Sequence, residues 1–232
     1  MLNQEPTKAG DFHVACISDT MAAELLARWT TGPDRTYTAD RPRSLLALAA
    51  LRALLFAVTR RTDWLVVRAR LGKPSVTTSE GGDGPSISMS HAAGLIAVAV
   101  AWGVEIGIDV EAHRPRDFAA LADQAFGPAE RQEVATEGQA AFYRIWTLRE
   151  ARAKATGDGL ALVLGRDDLA DGVASGRPAT RERWTLLHWL PEPGYSLGLA
   201  WSGGRSDIVP CRVGFEALTG GGDHEDDALR LV

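Results

Sequence analysis

The sequence predicts an α+β fold of two similar lobes related by a pseudo-twofold, each a small, mainly antiparallel sheet with one long helix. Two stretches, residues 43–59 and 139–156, are long and rich in strong helix formers. Short β-branched, alternating or wholly apolar runs gather around each of them, about three per half. Glycine, proline and polar residues separate these runs at hairpin-like intervals. The expected division is an N-terminal lobe over 1–103, a C-terminal lobe over 104–219 and a flexible, glycine-rich acidic tail over 220–232.

Taken in order, residues 1–10 are polar and expected to be loose. The Leu- and Ala-rich run 43–59 is long enough for four turns of buried helix. A strand is expected over 64–70, ending at Gly72, Lys73 and Pro74, and a loop over the glycine-rich, acidic stretch 77–85. Strands follow at 86–90 and 95–102 around a turn at 92–94, and a third at 104–111 after Gly103. Asp117 caps a helix over 117–125, and Pro128 stands in the first turn of another over 128–137. The helix 139–156 is closed by Gly157 and Gly159, which reach the left-handed conformation without strain. Residues 184–190 and 195–201, joined by 191–194, read as an antiparallel hairpin.

Composition narrows the function classes. A chain of 232 residues with 45% hydrophobic residues buries a full core, so a soluble globular protein is expected. The longest uninterrupted apolar run, 94–103, is half of the roughly 20 residues that span a bilayer, so no membrane segment is expected. Asn3, Gln4 and Glu5 stand where a secretory signal would be basic and then apolar, which points to the cytoplasm. Cys16 and Cys211 are far apart without CxxC spacing and read as reduced thiols rather than a zinc or disulfide framework. The net charge of −5 speaks against non-specific nucleic-acid binding. Its distribution is uneven: residues 28–73 carry +7 and the remainder −12. That cationic stretch suits a polyanionic ligand, or is a solvated arginine-rich surface. Of 25 basic residues only three are lysine, Lys8, Lys73 and Lys154. Where arginine serves nearly everywhere, a lysine marks a position that wants a compact ammonium.

Three clusters carry chemistry. Asp109 and Glu111, two apart at the end of an apolar strand, project from one face and repel unless a cation or donor lies between them. Mg²⁺, or Mn²⁺, suits such hard oxygen ligands, although alone the pattern is more often a solvated strand end. Glu150 and Lys154 are neighbours on one helical face with Trp146 a turn earlier; they are either a surface ion pair or a third ligand beside a phosphate-binding ammonium. Ser90 and His91 are adjacent, but neighbours on a strand point to opposite faces and no GxSxG elbow surrounds them, so a serine hydrolase is not expected. His91, at a strand end beside a turn, is placed to donate to an anion or to satisfy a carbonyl.

Together these clusters resemble one family in order and spacing. Gly107–Glu111 (GIDVE), Trp146–Leu160 (WTLREARAKATGDGL), Ser90-His91, Gly72-Lys73-Pro74 and Arg43 opening the first long helix are similar to the motifs of the 4′-phosphopantetheinyl transferase superfamily, in its larger single-chain type that activates nonribosomal peptide and polyketide synthases. The resemblance covers about residues 41–160. It implies a pseudo-twofold monomer with coenzyme A between the lobes and an apo acyl or peptidyl carrier protein as the second substrate. It implies Asp109, Glu111 and Glu150 as Mg²⁺ ligands, Arg43 and His91 at the 3′-phosphate, and Gly72, Lys73 and Pro74 at the adenosine end, with Ser90 beside His91 in the same site. Lys154 would stabilise the transferred phosphoryl group and Glu150 would act as base for the carrier serine. Residues 117–139 are expected to help dock the carrier. Arg149 departs from the family's lysine before the metal-ligating glutamate; as tolerated drift, its replacement by lysine is expected to be nearly neutral. The competing readings are a carrier- or coenzyme A-binding module without turnover and a Mg²⁺-dependent nucleotide hydrolase.

Overall fold

The apolar run that was too short for a membrane is the centre of the molecule. In the computed structural model, which describes residues 12–31, 42–67, 73–159, 163–165, 167–170, 172–204, 210–220 and 227–228, every residue of strand Leu95–Ala101 is buried. A continuous apolar run is what a strand covered on both faces requires. Its larger residues Ile96, Val98 and Val100 face a helical layer, and Leu95, Ala97, Ala99 and Ala101 face a second sheet.

The elements run β1 (Phe12–Ser18), α1 (Asp19–Trp29), α2 (Pro42–Thr59), β2 (Trp64–Val67), β3 (Ser75–Thr78), β4 (Ser86–Ala92), β5 (Leu95–Ala101), β6 (Ile106–Ala112), α3 (Phe118–Ala125), α4 (Pro128–Glu137), α5 (Gln139–Thr156), β7 (Ala179–Arg181), β8 (Trp184–Trp189), β9 (Tyr195–Ser202), β10 (Cys211–Arg212), α6 (Phe215–Thr219) and β11 (Asp227–Ala228). One sheet has the order β11-β10-β1-β5-β4, another β6-β9-β8-β7, and β2 pairs with β3 apart from both. Among the described ladders only β1–β10 is parallel. The α+β expectation holds, and each half places its first strand beside its last, with the penultimate strand outside: β1-β5-β4 and β6-β9-β8.

The layers are helix, sheet, sheet, helix. Helices α1 and α2 cover the outer face of the first sheet. Between the sheets lie Phe12, Val14 and the β5 alanines against Ile106, Ile108, Val110, Leu197, Leu199 and Trp201. Helix α5 covers the outer face of the second sheet. By length and composition α2 is apolar enough to cross a membrane, although Arg52 interrupts its apolar run. Its buried Ala47–Leu51 and Ala53–Leu55 pack instead against β1, β4 and β5.

The structure departs from the sequence reading in four places. Strand β1 and helix α1 were not anticipated, although Ser18 caps α1 by accepting from the Met21 N–H at 3.2 Å. Part of the expected loop 77–85 is strand: β3 pairs with β2 from Trp64↔Thr78 to Val67↔Ser75. Residues 210–220 return to the first lobe, where Val213 and Leu218 join the α1–α2 core, so a boundary at 219 does not follow the packing. Most of the expected tail lies outside the described residues, but Asp227 and Ala228 pair with β10 and so are not free.

Two glycines set the distance between α5 and its sheet. A Cβ on Gly107 of β6 would collide with the backbone of Ala151 and Ala155, and one on Gly198 of β9 with the backbone of Thr147 and Leu148. The small row Thr147, Ala151 and Ala155 therefore lies almost on the strands. Gly107→Ala should destabilise the protein by about 3 kcal/mol or more, because rigid backbone rather than a mobile side chain must give way; a urea midpoint within error of wild type would contradict this.

Candidate active site

Period two on β6 puts Gly107, Asp109 and Glu111 on the face turned to α5, while Ile106, Ile108 and Val110 enter the inter-sheet core. The row next to Thr147–Ala151–Ala155 on α5 carries Glu150 and Lys154. Because the glycines bring helix and strand together, the two rows meet. Lys154 Nζ donates to Asp109 Oδ1 at 2.7 Å and to Ser90 Oγ at 2.9 Å, and Ser90 Oγ donates to the same Oδ1 at 2.8 Å. Asp109 is buried, and its Oδ2 has no hydrogen-bond partner among the described residues. Ser90, His91, Asp109, Glu111, Glu150 and Lys154 line one open cleft of about 360 Å³, together with Ser44, Ala47 and Met89.

Charge in the cleft is unbalanced. Burial, and then Asp109, push the Glu111 carboxyl above the ordinary carboxylate range, with Arg116, Lys154 and Trp146 pulling back. Burial and Asp109 likewise raise Glu150, Lys154 offsets this, and Glu111 adds to it. Burial and the Lys154 ammonium hold the His91 imidazole below its usual range. Among the described residues no three His, Cys, Asp or Glu side chains stand close enough together to hold a metal ion. Mutual repulsion of carboxylates opposes such convergence, and the unpartnered Asp109 Oδ2, with Glu111 and Glu150 in the same cleft, has the donor chemistry of a Mg²⁺ site.

The remaining expected residues are placed differently. Arg43, in the first turn of α2, is half exposed and pairs with Asp19 at 3.6 Å; it does not line the cleft. Gly72 lies outside the described residues. Pro74 is half-buried at the start of β3. Lys73 does not reach the cleft: its ammonium donates to Glu105 Oε2 at 2.6 Å, Ser86 Oγ at 2.9 Å and the Ala155 carbonyl at 3.3 Å. Ser86 begins β4 and Ser90 stands four residues further along it, roughly 13 Å away at strand rise. The ammonium of Lys73 thus ties the first lobe to Glu105 and to the end of α5.

Sequence reading missed the serines that bring the sheets together. Among the described residues β6 pairs only with β9, which leaves N–H groups on its other edge. Ser86 Oγ accepts from the Ile106 N–H at 3.2 Å and Ser88 Oγ from the Ile108 N–H at 3.0 Å. Ser90, next on that face of β4, reaches Asp109. The visible signal was the alternation Ser-x-Ser-x-Ser, a polar row along one face of β4.

Arg149 is a correction. It is wholly buried and turned away from the cleft. Its Nη1 donates to Glu130 Oε2 at 2.5 Å and to the Asp167 carbonyl at 2.8 Å, its Nε to the Val163 carbonyl at 2.9 Å, and its Nη2 to the Gly165 carbonyl. Glu130, equally buried, also accepts from the N–H groups of Gly127, Leu169 and Ala170. The guanidinium fork thus fastens 163–170 to α4 and α5, a task that a single ammonium cannot repeat. Position 149 lies 100° around the helix from Glu150, so helical geometry alone turns it from the cleft.

The cleft of this α+β protein thus sets three carboxylates, Asp109, Glu111 and Glu150, against the Lys154 ammonium. Residues 105–199 match the family model of the 4′-phosphopantetheinyl transferase superfamily. Over 140 residues the chain is 32% identical to the 4′-phosphopantetheinyl transferase HetI of Nostoc sp. strain PCC 7120, covering 57% of this chain and 58% of that protein. Over 152 residues it is 30% identical to the 4′-phosphopantetheinyl transferase AcpT of Salmonella typhi, and equally to that of Salmonella typhimurium strain LT2, covering 58% of this chain and 79% of each. The chain belongs to the 4′-phosphopantetheinyl transferase superfamily.

Two predictions follow from the geometry. Arg149→Lys should cost about 3 kcal/mol, since it leaves buried Glu130 and several carbonyls short of donors; unchanged thermal and denaturant midpoints would refute the structural role. For Glu111, the folded pKa lies above the unfolded one, so the folded state holds the extra proton and stability falls as pH rises through that window. Glu111→Gln should therefore raise the Tm of metal-free protein at about pH 7.5 and do so much less at about pH 4. A Tm gain that is the same at both pH values would show that charge is not the cause.

Proposed function

We propose that the protein is a holo-carrier-protein synthase: it transfers 4′-phosphopantetheine from coenzyme A to a serine of an acyl or peptidyl carrier protein and releases 3′,5′-ADP. The observation that carries this reading is the Lys154 ammonium seated on Asp109 and Ser90 in a cleft that also holds Glu111 and Glu150. Asp109, Glu111 and Glu150 would hold Mg²⁺, or Mn²⁺, which when bound neutralises charge on the pyrophosphate.

The carrier serine Oγ attacks the β-phosphorus of coenzyme A, a new P–O bond forms, and the bond to the bridging pyrophosphate oxygen breaks. Glu150 receives the hydroxyl proton; a carboxyl raised above its ordinary range is the better base for a serine that is a poor nucleophile at neutral pH. Lys154 donates to the phosphoryl oxygens or to the departing 3′,5′-ADP as charge develops. Ser90 orients Lys154 and Asp109 toward each other. At the cleft rim His91, with Arg43 nearby on α2, takes the 3′-phosphate. The segment of Gly72, Lys73 and Pro74 borders the adenosine end, with the Lys73 ammonium retained as an internal tie. The exposed faces of α3 and α4, between the metal strand and the Glu150 helix, dock the carrier. We read the enzyme as a cytoplasmic monomer without nucleic-acid or membrane partners.

Incubation with coenzyme A, Mg²⁺ and an apo carrier should add about 340 Da to the carrier, the phosphopantetheine increment. Lys154→Ala and Glu150→Gln should each lower the rate by about 100-fold or more. No mass gain across several carriers would favour a binding module, and release of phosphopantetheine to water without a carrier would favour a hydrolase.

A further inference from the structure

A second cleft of about 360 Å³ opens where the end of α1, the middle of α2 and the start of β2 meet. Arg28, Arg52 and Arg61 line it with Trp29 and Trp64, and Asp63 is the carboxylate among its lining residues. It shares no lining residue with the catalytic cleft. These arginines belong to the +7 stretch 28–73; among the described residues no basic side chain of that stretch lines the catalytic cleft.

The cations here are stacked. The Arg28 guanidinium lies 4.9 Å from the Trp29 ring centre and 5.5 Å from that of Phe56, and Arg61 lies 5.5 Å from that of Trp64. Arg28 Nη1 is anchored on the Thr219 carbonyl at 2.6 Å. Arg61 forks onto Asp63 through Nε at 2.9 Å and Nη2 at 2.6 Å. Trp29 is only 7% exposed, and its indole N–H finds no acceptor among the described residues. A buried donor left unpaired carries a free-energy cost that a bound acceptor would relieve.

We propose that this cleft is a second ligand site for a small aromatic anion of the nucleoside monophosphate class. Pre-stacked guanidinium groups suit a phosphate, the half-buried Trp64 indole suits a base, and the volume falls in the range of small-molecule sites. Arg61 exchanges its internal partner Asp63 for the ligand's phosphate, while the Trp29 N–H gains an acceptor. The proposal needs neither metal nor carrier, and so stands apart from the transferase reading.

The test is a titration of the ¹⁵N-labelled full chain with AMP, and separately with adenosine and inorganic phosphate. The Trp29 and Trp64 indole N–H signals, assigned by Trp→Phe substitution, are followed. AMP should shift both, and more tightly than either fragment. Arg61→Ala should weaken binding about fivefold or more, and Asp63→Asn should tighten it about threefold by freeing the fork. Both positions lie at the surface, and a folding defect does not produce opposite changes. Arg43→Ala, beside the catalytic cleft, should leave the titration unchanged. Indole signals that stay still up to about 10 mM AMP, far weaker than a specific site, would overturn the proposal. So would equal constants for Arg61→Ala, Asp63→Asn and wild type, or loss of the shifts in Arg43→Ala.

Discussion

The close seating of α5 on β6 and β9 is the constraint on which the rest depends. At Gly107 and Gly198 the helix backbone occupies the space where a side chain would stand. That approach lets a lysine on one element reach an aspartate 45 residues earlier. With a conventional side-chain layer between helix and sheet, Glu150 and Lys154 would lie over the strands rather than beside Asp109 and Glu111. Helix–sheet packing here is a condition of the chemistry as well as of stability.

The same approach concentrates like charge. Burial, and then Asp109, raise both Glu111 and Glu150, and Lys154 opposes the trend at both. Lys154 is thus the internal counter-charge of the cluster. Around this cleft the supports are polar: the β4 serines on the free edge of β6, Lys73 across the lobe junction, where its partner Glu105 stays exposed, and the wholly buried Arg149–Glu130 pair behind α5. The serines and the Arg149–Glu130 pair satisfy groups that the packing has cut off from water, and truncation would leave an N–H or a charge unpaired.

Much of the fold was legible because its signals are local. The apolar run of β5, the Asp117 cap, which accepts from Ala120 N–H at 3.0 Å, and the left-handed Gly157 closing α5 depend on neighbours in the chain. Strand β1 was missed because His13 and Cys16 interrupt its pattern, and its identity rests on pairing with β5, some 80 residues on. Segment 210–220 is too short and mixed to declare its lobe; Val213 and Leu218 are assigned only by the core they enter. Arg149 was read as tolerated drift because its partners, Glu130 and the Val163 and Asp167 carbonyls, stand 14 to 19 residues away in the chain and only the fold brings them to it.

By itself the sequence determined the periods: two on β6, which puts Asp109 and Glu111 on one face, and four on α5, which aligns Glu150 with Lys154. It also determined the class, since the order of these pairs with Ser90-His91 is shared with the transferase superfamily. Only the tertiary structure decided which of the marked residues meet. It drew Ser90 onto Asp109, turned Lys73 into a tie, sent Arg149 into the interior and gathered Arg28, Arg52 and Arg61 at a separate cleft. The physical reason is that spacing along the chain sets the direction of a side chain, while the partner it finds depends on how closely distant backbones approach.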